Sequence, residues 1–186
     1  MKYRYLGNSG LLMSRLSLGT MTFGAPDWGC DEKESHAIIK NYIDAGGNSL
    51  DIADIYAGGR SEEIVGSLMP ELNRDGLIIA SKFSLPSGPA MTQFGANRKQ
   101  IISSCEKSLK RLKTDYIDLY HIHVPDPITP YEETLRAVDD LVRQGKVRYT
   151  GSSMFFGWQL AKAQGVSAAC NLEKMVAGQY IYSLIH

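Results

Sequence analysis

Along this chain the spacing of apolar residues alternates between two periods. Short apolar runs at 16–20, 49–52, 77–81, 116–121, 147–151 and 175–179 are the length of strands. Between them the apolar positions spread to the i, i+3, i+4, i+7 pattern of an amphipathic helix. Helical stripes are predicted at Ile38, Ile39, Tyr42 and Ile43; at Ile64, Val65, Leu68 and Leu72; at Ile101, Cys105, Leu109 and Leu112; and at Leu135, Val138, Leu141 and Val142. A shorter helix is expected around 158–163. Strand and helix thus recur about every thirty residues, the length of a strand, crossover helix and return strand, so the sheet is expected to be parallel.

Punctuation sharpens the boundaries. Asp31 and Glu34 stand at capping-box spacing before the first helix, and Gly46 and Gly47 follow it. Pro70 is expected to kink or split the second helix. The run Thr129-Pro130-Tyr131-Glu132 combines capping-box spacing with a proline expected at the first helical position. Ahead of the first unit, Gly7, Asn8, Ser9 and Gly10 separate two extended pieces, which reads as a short hairpin.

Composition narrows the function classes. The 186 residues, 44% hydrophobic and 22% charged, suit one globular domain with a single core. Lys plus Arg and Asp plus Glu are equal at 20 each, so no net field exists to recruit nucleic acid or an anionic membrane. Partners are therefore to be sought in a pocket. Cys30, Cys105 and Cys170 are widely spaced and odd in number, which suggests neither a disulfide framework nor a zinc site and fits a reducing cytoplasm. The first residues, Met1, Lys2, Tyr3 and Arg4, carry no signal-like apolar run, and no stretch has the length of a membrane span.

Polar residues gather at one place in each unit. Asp51 and Tyr56, in a D-x-A-x-x-Y spacing, follow the second strand; Lys82 ends the third; His123 ends the fourth; Ser152 and Ser153 follow the fifth; Gln179 ends the sixth. In a parallel α/β protein these strand ends share one rim, where chemistry is done. Each residue alone has an ordinary explanation as a cap, a solvated lysine or a loop histidine. Their recurrence at corresponding positions of successive repeats does not.

At these residues the chain resembles the aldo-keto reductase superfamily. SLDIADIYAGGRSEEIVG, IIASKF, DYIDLYHIHVPD, ETLRAVDDLVRQGKVRYTGSS and AGQYIYSL look like that family's successive signatures. The resemblance implies a (β/α)8 TIM-type barrel with an N-terminal hairpin closing its bottom, read here as a single domain over 1–186. It implies reduction of aldehydes or ketones with NADPH, NADH not being excluded, and a catalytic tetrad of Asp51, Tyr56, Lys82 and His123. It further implies that Ser152, Ser153, Gln179, Tyr180 and Asp51 meet the cofactor. Met154 departs from the asparagine usual after the serine in the family. Only about six of the eight units, and fewer than the roughly 250 residues of a full barrel, are counted, so the domain is expected to be C-terminally incomplete. A last strand left uncovered would favour a homo-oligomer.

The tetrad also follows from chemistry. Carbonyl reduction needs a hydride, which no side chain supplies, and a proton for the developing alkoxide. An ammonium about 4 Å from a phenol stabilises its ionised form by about 4 kcal/mol at an effective dielectric near 20, so Lys82 can make Tyr56 a proton donor. Asp51 keeps Lys82 charged and in place, and His123 orients the carbonyl oxygen. Met21 and Trp28 are candidate walls of the substrate pocket, with Phe23 and Trp158 as further aromatics. Two other readings stay open. One is a non-catalytic or regulatory binding subunit on the same fold. The other is a metal-dependent hydrolase using His121 and His123, an H-x-H pair on a strand; His36 and His186 sit on a helix and at the terminus, so no metal site is assigned.

Overall fold

In the computed structural model every residue is described except Pro89, Met91, Thr92 and His186. A hairpin of β1 (Tyr3–Tyr5) and β2 (Leu12–Ser14) precedes a regular succession. It runs β3 (Leu18–Gly19), α1 (Glu32–Asp44), β4 (Ser49–Asp51), α2 (Arg60–Leu68), β5 (Ile78–Phe83), α3 (Arg98–Leu112), β6 (Ile117–Ile122), α4 (Tyr131–Arg143), β7 (Val147–Ser153), α5 (Gly157–Ala169) and β8 (Met175–Gln179). The six strands β3 to β8 lie side by side in chain order, each pair parallel. A doubly wound sheet would reverse its order partway; an unbroken order is that of a barrel wall.

The wall is curled, and one hydrogen bond measures the curl. Gln179 at the end of β8 donates from Nε2 to Asp51 Oδ2 at the end of β4, at 2.8 Å. In a flat sheet four strand spacings of about 4.8 Å would hold those strands about 19 Å apart. The hairpin lies across the opposite end. Ser14 N–H donates to Asn48 Oδ1 just before β4, and a Cβ on Gly7 would stand 2.3 Å from the Val176 carbonyl oxygen of β8. The six units form a partial (β/α)8 barrel with its lower end covered.

Strand alternation separates core from chemistry. Leu50, Ile52, Ile79, Phe83, Tyr120 and Ile122 belong to the core that also takes Ile39, Ile64, Val65, Ile101, Leu109, Leu135, Val138 and Leu141 from the helices. The alternate residues Ser49, Asp51, Ala80, Leu119 and His121 line an inner cavity of about 300 Å³ with Ala177, Gly178 and Gln179. A period of two thus puts apolar mass behind the wall and polar groups in front of it.

Several local expectations are corrected. Ile38 is exposed, because the stripe of α1 turns on Ile39. Asp31 caps α1 by accepting from Glu34 N–H at 2.8 Å. At α4 the expected capping box does not form. Pro130 is itself the N-cap, without a side-chain cap, and Thr129 Oγ1 donates to Asp126 Oδ2 instead. Pro70 does end α2, which passes at Leu68 into a single 3-10 turn, Met69–Glu71, and leaves Leu72 half-buried. The last helix, α5, is longer than its weak apolar stripe suggests, reaching Ala169. Among the described residues no helix is long and apolar enough to cross a membrane.

Close packing of α2 on α3 depends on Gly66. A Cβ there would meet the Arg111 carbonyl oxygen at 2.0 Å, and backbone cannot give way as a flexible side chain can. Gly66→Ala is expected to lower stability by about 1 to 3 kcal/mol, the usual cost of overpacking, read as a fall in the urea midpoint at unchanged slope.

Candidate active site

The polar residues predicted at the rim meet because three strand ends are in register. Asp51 pairs with Ala80, and Lys82 with His121, so alternate inward positions of neighbouring strands stack one above another. Past β4 the chain stays pinned to β5. Ile52 N–H donates to the Ala80 carbonyl at 2.8 Å and Asp54 N–H to the Lys82 carbonyl at 3.3 Å. A 3-10 turn, Tyr56–Gly59, then reverses direction with Ala57, Gly58 and Gly59 at φ of 49°, 65° and 96°. A non-glycine residue in the left-handed region costs about 1 kcal/mol or more, a cost that Ala57 bears immediately after Tyr56.

Lys82 is the hub. Its side chain is 1% exposed, and Nζ has three oxygens around it: Asp51 Oδ1 at 2.8 Å, the Ile52 carbonyl at 2.8 Å and Tyr56 Oη at 3.0 Å. An ammonium has three protons to donate, so each has an acceptor. His123 lies one residue past β6, its N–H bonded to the Phe83 carbonyl at 2.8 Å. Its ring meets that of Tyr56 edge to face, centroids 5.9 Å apart. Burial, helped by the Lys82 charge, pushes the His123 imidazole down to about 4. The ring is uncharged at neutral pH, with Nδ1 sealed in and without a partner. The structure therefore gathers all four predicted residues, Asp51, Tyr56, Lys82 and His123, into one cluster.

The candidate cofactor residues lie beside them on the next two strand ends. Ser153 pairs with Gln179 and Ser152 with Gly178 across β7 and β8. Ser152 Oγ is 3.1 Å from Tyr180 Oη, and the Gln179 amide is held on Asp51 as described. Tyr180 is half exposed, over a glycine whose added Cβ would strike its ring at 2.4 Å. Hydroxyls and a primary amide are the donor and acceptor types that recognise a carboxamide, so this side of the rim fits a nicotinamide ring. Met154, which follows, has φ of 60°, a conformation that asparagine adopts more readily than an unbranched apolar residue.

Other candidates are placed differently. Met21 and Trp28 are both exposed, in the connection between β3 and α1, whereas Phe23 in the same loop is buried in the core. Trp158 is exposed on the first turn of α5. His121 is buried one layer below the rim, pushed down to about 4 chiefly by burial. His36 Nε2 is bonded to the Ile64 carbonyl and Ser67 Oγ between α1 and α2, and His186 lies outside the described residues. Among the described residues no group of three or more His, Cys, Asp or Glu side chains is arranged to hold a metal ion.

Three groups around the site are barely marked in the sequence pattern. The Ile52 carbonyl is a backbone atom and invisible to motif reading. Glu62 looks like a first-turn helix acid, yet it is fully buried. It accepts from Ser81 Oγ at 2.7 Å and from Arg111 at 2.7 and 2.6 Å, directly behind Lys82. Asp54 looks like a turn residue but is buried behind the wall, its carboxyl raised to about 7 by burial and by Glu62. The only hint was its place inside the D-x-A-x-x-Y run.

Comparisons with known proteins converge on one family. Residues 15–185 match the model of the aldo/keto reductase family. Aldo-keto reductase AFTS1 of Alternaria alternata is 37% identical over 99% of this chain and 58% of its own length. Aldo-keto reductase YhdN of Bacillus subtilis (strain 168) is 43% identical over 83% of this chain and 47% of its own. The crystal structure of a thermostable aldo-keto reductase, Tm1743, in complex with the inhibitor epalrestat superimposes with a TM-score of 0.85 at 37% identity, covering 98% of this chain and 63% of that one. The chain thus spans about half the length of these curated relatives. With motifs, wall topology and comparisons in agreement, the chain belongs to the aldo/keto reductase family.

Proposed function

We propose that the chain carries the proton-transfer centre of an NAD(P)H-dependent oxidoreductase that reduces aldehydes or ketones to alcohols, with Tyr56 as proton donor. The observation that carries this reading is the 3.0 Å bond from a buried Lys82 ammonium to the Tyr56 hydroxyl. Such a cation is repaid by a phenol only as that phenol gives up its proton, so the interaction strengthens as the transfer proceeds. Family membership and identity to proteins named as aldo-keto reductases support the redox class.

A bound nicotinamide would supply the hydride; Ser152, Ser153, Gln179, Tyr180 and Asp51 are the residues whose chemistry fits holding its ring. The chain's own work is the rest. His123, uncharged, has Nε2 as the ring nitrogen that is not sealed in, and this edge can hydrogen-bond a carbonyl oxygen at the mouth. Tyr56 Oη protonates that oxygen as it becomes an alkoxide. Lys82 stabilises the phenolate left behind, and Asp51 Oδ1 at 2.8 Å balances the lysine throughout. Exposed Met21 and Trp28 are proposed as outer pocket walls. The carbonyl substrate is a small molecule; a homo-oligomer in the cytoplasm completes the proposal.

A regulatory reading is supported by a different relative. A protein of Arabidopsis thaliana named as a probable voltage-gated potassium channel subunit beta is 37% identical over 99% of this chain and 56% of its own length. Cofactor binding without turnover of any carbonyl substrate favours that reading.

Two outcomes are expected of the reductase. Tyr56→Phe should lower kcat by about 10²- to 10⁴-fold, the usual worth of a positioned general acid, while NADPH fluorescence titration shows binding largely unchanged. Retained turnover removes Tyr56 from the chemistry. The second outcome concerns pH. His123 is depressed in the fold from 6.5 to about 4, so the stability tied to its neutral form is complete above 6.5 and lost as pH falls through about 4. On the acid side, kcat/KM should show no loss as pH passes below 6.5 and should fall only toward about 4. An acid limb centred at 6.5 would contradict a neutral His123.

A further inference from the structure

Asp54 takes no part in the chemistry above, yet its surroundings are hard to explain as packing. The side chain is 4% exposed, and neither carboxyl oxygen has a hydrogen-bond partner of ordinary geometry, although the Ser104 hydroxyl and the Ile55 N–H lie close enough to favour its charged form. Burying such a group unpaired is costly, and more so when it is charged. Every element around it contributes a polar group. Glu62 faces it from α2, Ser104 and Arg111 from α3, and Tyr120 from β6, with the Cys105 thiol of α3 coupled to Tyr120. Among the described residues the cation acting on it is Arg111, which is already committed. Arg111 binds Glu62 through Nε and Nη2, and its Nε fills the space where a Cβ on Gly59 would lie 3.1 Å away. An ionised Asp54 would therefore find a fixed negative neighbour and no counter-ion of its own.

The position of Asp54 in the chain gives this a consequence. Its backbone N–H is bonded to the carbonyl of Lys82, and Tyr56 follows two residues later. The next three residues, Ala57, Gly58 and Gly59, all have positive φ, so the segment that carries Tyr56 is already conformationally costly at Ala57. We propose that Asp54 is a positioning residue for Tyr56: its carboxyl group, lodged behind the wall between α2, α3 and β6, holds the Tyr56 turn against Lys82 while uncharged and releases it when charged. The Lys82–Tyr56 contact is thereby governed by a group that touches neither side chain. Burial and Glu62 raise the Asp54 carboxyl to about 7, which puts the change within the neutral range. The stability that accompanies the protonated form is complete below 3.8 and is lost as pH rises through about 7.

The catalytic meaning of this rests on the reading of Tyr56 as proton donor; its detection does not. The experiment is carbon NMR of the chain labelled with 13C at the tyrosine ζ position and, in a second sample, at the aspartate carboxyl, without cofactor or substrate. The Tyr56 line is identified by its loss in Tyr56→Phe. In the native chain that line should follow a single-proton transition near 7, coincident with titration of the Asp54 carboxyl. In Asp54→Asn the transition should vanish, with the Tyr56 line held at its acid-side position. An unchanged Tyr56 profile in Asp54→Asn overturns the proposal, as do different midpoints for the two groups in the native chain. The native comparison decides even if the variant does not fold. Absence of turnover in a separate assay would count against the reductase reading while leaving this result intact.

Discussion

A primary ammonium hidden from water must hand each of its three protons to an acceptor, and the top of this wall is arranged around that requirement at Lys82. Burying an unpaired charge costs several kcal/mol, and removing one member of a buried pair typically costs about 3 to 5. Here a carboxylate, a backbone carbonyl and a phenol share the task. The carboxylate ends β4, the carbonyl belongs to the residue after it, and the phenol lies four residues further on. One strand exit thus supplies every acceptor, and the lysine comes from the next strand in the sheet. The left-handed turn that follows Tyr56 carries a conformational cost at Ala57.

The same strand serves two layers. Lys82 faces inward to the site, and its neighbour Ser81 faces outward to Glu62, which is held in turn by Arg111 of α3. The polar site is therefore backed by a second polar assembly on the far side of the sheet. That assembly is embedded in a layer otherwise built from Leu, Ile, Val and Phe. Charges on either side of one strand share its backbone as a common support, so the helix layer and the mouth are not independent.

Much of this was legible in the sequence. The two apolar periods gave the order of elements, because alternation and the helical stripe each report how a side chain meets a core. The meeting of Asp51, Tyr56, Lys82 and His123 was legible because they follow three successive strand ends, which the parallel register brings together, whereas their grouping as a tetrad came from the resemblance to the family. What escaped was tertiary. Thr129 has the spacing of a cap but prefers Asp126, and Ile38 falls just outside the buried stripe. Asp54 and Glu62 look like ordinary turn and helix-start acids, and only the packing of α2 against α3 removes them from water. Spacing along a chain cannot show which polar residues a distant helix will cover.

The link from Gln179 to Asp51 has one more implication. The carboxylate that balances Lys82 uses its other oxygen to accept from an amide four strands away, so a single side chain both neutralises the cation and fastens the curvature of the wall. A ligand that drew the amide toward itself would take one hydrogen bond from the same carboxylate that holds the lysine, so occupancy at one side of the mouth would be felt by the ion pair at the other.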